Sequence, residues 1–204
     1  MSESQWLSLA LVCLLGAMSP GPSLVVVVRQ SITGGSRAGI TCAVAHGVGI
    51  FLWAALMVSG LGALVVASPD IFLAFRFAGA AFLFYLGIQS LRATSAGSEE
   101  VTAPFDGNHG SPAREGFLIA LTNPKIAVFF GALFSQFIRP DAPAVAQWMI
   151  AGTAAIIDIL WYAAVALLLS RTAVLAQFQR HNLLLSRVFG AILIAVAFSV
   201  VFAV

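Results

Sequence analysis

Ser19-Pro20-Gly21-Pro22 and, in the second half of the chain, Asn123-Pro124-Lys125 interrupt two otherwise apolar segments. The first segment runs from about Trp6 to Val28 and the second from about Gly116 to Ile138, so the two breaks occupy matching places. Proline removes an amide donor and clashes with the preceding turn, so each break frees backbone carbonyls. In lipid such groups cost several kcal/mol unless protein or a watered cavity satisfies them. Corresponding interruptions in the two halves of a chain are the sequence pointer to a binding site within a membrane.

Composition agrees with a membrane setting. Hydrophobic residues make up 60% of the chain and charged residues 9%, against about 25% charged in a soluble domain. Mean hydropathy is +1.00, which describes an integral membrane protein with the lipid bilayer as its surroundings. The net charge of +2 is too small to suggest a nucleic-acid partner. Cys13 and Cys42 both lie in apolar runs, where a thiol behaves as a small hydrophobe, so they are expected to stay unpaired. There is no CxxC and no Cys/His spacing of a metal site, so neither a metal nor a cofactor is expected. No Lys or Arg precedes the first apolar run, whereas a signal peptide needs a positive n-region. That run is therefore read as a retained, interrupted span.

Six spans are expected, at about 5–28, 38–67, 71–92, 116–138, 144–170 and 184–204. Each offers roughly 20 or more mostly apolar residues, enough to cross about 30 Å of hydrocarbon. The one sizeable polar stretch, Thr94 to Glu115, reads as a flexible linker. The single membrane domain, 1–204, thus divides into a first three-helix repeat at 1–92, a linker at 93–115 and a second repeat at 116–204. The halves correspond weakly in order. Pro22 and Pro124 open similar apolar runs, Arg76-Phe-Ala-Gly79-Ala80 matches Arg187-Val-Phe-Gly190-Ala191, and Trp53 matches Trp161 in depth. An odd number of spans per half forces the second half to enter from the opposite side. The expected fold is all-α: six transmembrane helices forming two three-helix inverted-topology repeats, with helices 1 and 4 broken.

Orientation follows from the loops. Arg29, Arg37, Arg92, Arg114, Arg171, Arg180 and Arg187 fall on one side, which is seven of the ten Lys and Arg residues. Arg76 and Arg139 fall on the other, and Lys125 sits within a span. Positive charge stays inside, so the linker is expected in the cytoplasm and both termini in the periplasm.

The chemistry lies in the few polar groups inside spans. Lys125 is eleven residues past Arg114, about 16 Å along a helix and so near the midplane. There an ionised Lys costs about 2.5–3.5 kcal/mol and marks a functional site by default; the alternative is a cation that snorkels or locks two helices together. Asn123 can hydrogen-bond the carbonyls that Pro124 leaves free. Asp158, the one carboxylate well inside a span, is the expected counter-charge for Lys125. Desolvation and a neighbouring cation act on such an acid in opposite directions, which suits a proton carrier and a static ion pair equally. His46 is the one histidine within a span, and imidazole permits proton relay, although a histidine among apolar residues is more often a satisfied core group. The glycines around it read as helix-packing positions. Trp53 and Trp161 read as packing rather than cavity lining, and the Phe residues of spans three and four as lipid-facing or interhelical filler.

Pro20-Gly21-Pro22, Asn123-Pro124-Lys125 and Phe84-Tyr85-Leu86-Gly87-Ile88 resemble the signatures of the LysE/RhtB family of amino-acid exporters, and the resemblance covers nearly the whole chain. It implies a bacterial inner-membrane exporter of amino acids, driven by the proton gradient or the membrane potential. It also implies that the two signature segments form the substrate passage, carried here by Pro20, Gly21, Pro22, Asn123, Pro124 and Lys125. Asp158 stands where family members often carry an acid; His46 matches no family motif.

On this reading a substrate carboxylate meets Lys125 or the positive ends of half-helices, and its ammonium meets freed carbonyls or Asp158. With one acid and one base inside the spans there is no surplus acid to select a cationic amino acid, which favours a neutral one. An efflux transporter for a divalent metal or another small ion is the alternative, and it would require clustered carboxylate, His and Cys ligands. An intramembrane enzyme would need a nucleophile with its base, a carboxylate pair or a metal motif, and the sequence encodes none. The abundance of small residues is compatible with a homodimer.

Overall fold

The computed structural model describes residues 2–19, 21–92, 110–138, 143–168 and 172–202. Pro20, most of the expected linker, Arg139 and Arg171 lie outside the described residues, as do the side chains of Arg180 and His181. Among the described residues there are seven helices and no strand: α1 (Glu3–Met18), α2 (Pro22–Ala67), α3 (Pro69–Leu91), α4 (Pro112–Thr122), α5 (Pro124–Phe134), α6 (Ala144–Leu168) and α7 (Thr172–Phe202).

Local chemistry sets most boundaries. A capping box opens α1: Ser2 Oγ accepts from the Gln5 amide at 3.3 Å, and Gln5 Oε1 accepts from the Ser2 amide at 2.9 Å. Pro22, Pro69, Pro112 and Pro124 stand in the first turns of α2, α3, α4 and α5. A missing N–H is harmless there, because the first amides of a helix have no intrahelical acceptor. The helix at Pro112 makes the last residues of the expected linker, including Arg114 and Glu115, the first turn of α4.

The stretch expected to connect spans one and two is not a loop. Helix α2 runs for 46 residues, and its one non-helical residue is Gly35, at φ 75° and ψ 178°. That conformation is essentially restricted to glycine. Helical hydrogen bonding resumes at once on either side, so Arg29 and Arg37 project from helix. The other break is sharper: α4 and α5 are bent by 57° at Asn123-Pro124.

One large apolar core joins α1, α2, α3, α5, α6 and α7 through side chains such as Leu9, Ile50, Leu83, Phe134 and Leu193. A smaller one, with Val27, Cys42, Tyr162 and Ala166, lies between α2 and α6. Cys13 and Cys42 are free and buried. Helices α3 and α7 cross closely, since a β-carbon on Gly87 would lie 2.8 Å from the Gly190 carbonyl oxygen and one on Gly190 2.6 Å from that of Gly87. Leu7, Leu56, Val66, Val145 and Leu160 point outward and are exposed. An outer face of this kind suits lipid, and the chain is membrane-embedded.

Pro22–Ala67, Pro69–Leu91 and Val145–Leu168 are long and apolar enough to cross a membrane, and the bent pair α4–α5 makes a fourth candidate. The shorter apolar helices are Glu3–Met18, which the first break cuts off, and Ser186–Ser199 within α7.

Candidate functional site

The two breaks meet across the bundle. Lys125 Nζ donates to Ser19 Oγ at 2.8 Å, and Asn123 Nδ2 donates to Ser23 Oγ at 3.3 Å. One side of each break is thereby tied to the other. Gly21 leaves space at the junction: a β-carbon there would lie 3.7 Å from Lys125 Nζ.

Asn123 acts differently from its expected role. Its Oδ1 accepts from the Lys125 amide at 3.0 Å, capping the start of α5, so it satisfies a freed donor and not a freed carbonyl. The carbonyl problem is met from elsewhere. With the Lys125 amide taken by the cap, the Leu121 carbonyl has lost its helical donor, and Trp53 Nε1 donates to it at 3.3 Å. Trp53 is thus a structural patch on the second break, and Trp161 packs against the smaller core.

Beside the junction lies a cavity of about 50 Å³, room for a few water molecules. Its polar wall carries Ser19, Gly21 and Ser23 from the first break, Asn123 and Lys125 from the second, and His46, Asp158 and Tyr162 from α2 and α6. Its apolar wall carries Ile50, Ile126, Phe129, Phe130 and Phe189. The Phe129 and Phe130 rings, expected as filler, therefore shape the site.

His46 and Asp158 form its second charged centre. His46 Nδ1 lies 2.7 Å from Asp158 Oδ2, with the histidine 1% and the aspartate 6% exposed. The close approach has a local cause, because a β-carbon on Gly47 would overlap Ile159 Cγ1 of α6 at 2.1 Å. Tyr162, one turn beyond Asp158, packs T-shaped against the imidazole with ring centroids 5.0 Å apart. Ser23, which accepts from Asn123 at the second break, lines the same cavity as Tyr162 and the His46–Asp158 pair.

Of the residues expected at a site, Gly21, Asn123, Lys125, Asp158 and His46 line this one cavity, and Pro22 and Pro124 start the half-helices beside it. The carboxylate expected to face Lys125 is held by His46, while the Lys125 ammonium reaches Ser19. Ser19, Ser23 and Tyr162 were not foreseen. The signals were present, in hydroxyls adjoining the first break and a Tyr at i+4 from the buried acid.

A separate polar cluster lies further along α2. Arg29 pairs with Glu115 of α4, and Gln30 Nε2 donates to the same carboxylate at 2.5 Å. Among the described residues no three His, Cys, Asp or Glu side chains cluster as a metal site would.

Residues 14–203 match the family model described as LysE type translocator. The chain is 32% identical over 197 residues to proteins named homoserine/homoserine lactone efflux protein in Salmonella typhimurium and in Salmonella typhi, covering 96% of this chain and 95% of each relative. It is 31% identical over 177 residues to an uncharacterized membrane protein of Vibrio cholerae, covering 86% of this chain and 83% of that one. No solved structure matches it.

Proposed function

The chain belongs to the LysE type translocator family and is therefore a transporter and not an enzyme, and on that premise we propose that it exports a neutral amino acid or a close derivative across the bacterial inner membrane. The observation that carries this reading is the joining of the two breaks, by Lys125 to Ser19 and Asn123 to Ser23, around a cavity that also holds a carboxylate. A zwitterion needs a cation and an anion held apart within one enclosure, and Lys125 and Asp158 line the same wall. The substrate carboxylate binds at Lys125 and the start of α5, its ammonium at the Asp158 side, and its side chain lies against Phe129, Phe130 and Phe189. Two relatives carry the name of homoserine efflux, and homoserine is a zwitterion with an uncharged side chain, the class this charge balance accommodates.

The alternating-access scheme rests on six spans in two inverted repeats. The first span is α1 with α2 up to Gly35, the second the rest of α2, and the fourth α4 with α5. Rocking of one repeat against the other exposes the cavity in turn to each side, driven by protons or by the membrane potential. The linker is cytoplasmic and both termini periplasmic, by the count of basic residues. A homodimer is compatible with this arrangement. The metal-efflux alternative has no ligand cluster among the described residues to support it.

The test is efflux from preloaded cells or vesicles with a panel of amino acids, homoserine and divalent metals. Export of an uncharged-side-chain amino acid is expected. Export of lysine or a metal with no transport of neutral amino acids would overturn the reading.

A further inference from the structure

The least satisfied atom in the cavity wall is His46 Nε2. It is buried and has no hydrogen-bond partner among the described residues. Its ring is otherwise held by Asp158 at Nδ1 and by T-shaped packing against Tyr162. An ionised carboxylate has no hydrogen to give, so Nδ1 carries the hydrogen of that bond and the lone pair of the neutral ring stands at Nε2. A buried polar atom left unsatisfied is costly. The cavity that His46 lines has room for water or a ligand to satisfy it.

We propose that His46 Nε2 is the atom that takes up and releases the transported proton, with Asp158 as its positioning residue and as the negative charge for which proton and substrate ammonium compete. This rests on the reading of the chain as an amino-acid exporter.

The charges around the ring explain the competition. Asp158 and Tyr162 face it from α6, Cys13 joins the wall from α1 and Lys125 from α5. Among the described residues of α4 and α7, none that lines the cavity is charged. With His46 neutral, Lys125 and Asp158 balance, and a zwitterion binds without changing the sum. A proton at Nε2 makes an imidazolium that neutralises Asp158, so the substrate ammonium loses its counter-charge. At low dielectric an ammonium left without a counter-charge is strongly disfavoured. The amino acid and the proton therefore exclude one another. In the cycle, a proton from the outer solution adds to the Nε2 lone pair as substrate leaves, and the N–H bond breaks to release it inside when the next substrate binds. No other bond changes, and exchange is obligatory because both occupants use the single charge of Asp158.

The test uses the full chain reconstituted in liposomes with L-homoserine as probe, comparing wild type, His46→Gln, Asp158→Asn and Asp158→Glu. Glutamine can still donate to Asp158 but cannot take up a proton. His46→Gln is expected to lose accumulation driven by a pH gradient far more than it loses exchange of labelled for unlabelled homoserine, with a flattened pH profile of the exchange that remains. Asp158→Asn is expected to lose both activities, and Asp158→Glu to recover exchange in part. Homoserine binding to the wild type in weakly buffered detergent is expected to release about one proton per molecule bound, a measurement that stands even if a variant does not fold. Retention of pH-driven accumulation by His46→Gln, or binding without proton release, overturns the proposal. Absence of any homoserine exchange by the wild type instead overturns the exporter reading for this substrate, and the proposal with it.

Discussion

A β-carbon on Gly16 of α1 would stand 2.9 Å from Phe129 Cζ of α5, closer than such contacts occur. Both residues line the cavity, so the bare backbone of α1 sets where the ring lies. Gly16→Ala is expected to push Phe129 from its position and to reduce export of bulky amino acids more than that of small ones. Phe129→Leu in the same chain should relieve the clash. Competition assays across side-chain sizes, arranged as a double-mutant cycle, measure the coupling, which for residues in contact runs to about 0.5–3 kcal/mol.

Lys125 supplies the fixed cation of the cavity and a bond between the breaks. Lys125→Ala is expected to abolish export while the protein still inserts, as judged by its abundance in the membrane fraction. Ser19→Ala keeps the charge and removes one acceptor, so its loss of export should be partial. Unimpaired export by Lys125→Ala would remove the cation from the transport scheme.

Gly35 and Gly60 form a matched pair for the turn in α2. A β-carbon meets nothing within 4 Å at either position, so space does not distinguish them. Only Gly35 has a positive φ. Gly35→Ala should destabilise the protein by about 1–3 kcal/mol, while Gly60→Ala, in helix, should be neutral or stabilising by up to about 1 kcal/mol. Thermal unfolding in detergent reads both.

Glu115 accepts from two side chains of α2, Arg29 and Gln30, and holds α4 against it. Both members of the ion pair are partly exposed, at 32% and 22%, so the effect is less than that of a dry pair. Glu115→Ala is expected to lower stability by about 1–2 kcal/mol, between the values for surface and buried pairs, and high salt should narrow the gap to wild type. An unchanged melting temperature would show that the cluster does not seat α4.

Several features were legible in the sequence because their causes are local. Both breaks lie where proline removes donors, and the starts of α2 and α5 follow from Pro22 and Pro124. The extent of α2 was not legible: Arg29 to Arg37 reads as a polar loop, yet one residue in a glycine-only conformation redirects the chain while helical bonding continues on both sides. Glu115 was hidden for a related reason, since it follows a polar stretch and its partners lie 86 and 85 positions away. The Phe residues near the second break looked like filler because apolar side chains carry no mark of whether they face lipid, a helix or a cavity.

By itself the sequence determined a membrane protein with two apolar segments interrupted at prolines, a lysine beside the second break and an acid well inside a later apolar run. Those follow from composition and from backbone chemistry that no partner can alter. Tertiary structure alone decided which polar groups meet. Asp158 belongs to His46, 112 positions away, because Gly47 lets α2 approach α6. Lys125 reaches Ser19 because the two breaks lie opposite one another. Side-chain partnership across helices depends on rotation and closeness of packing, which are set by the sum of many small contacts and leave no local signature.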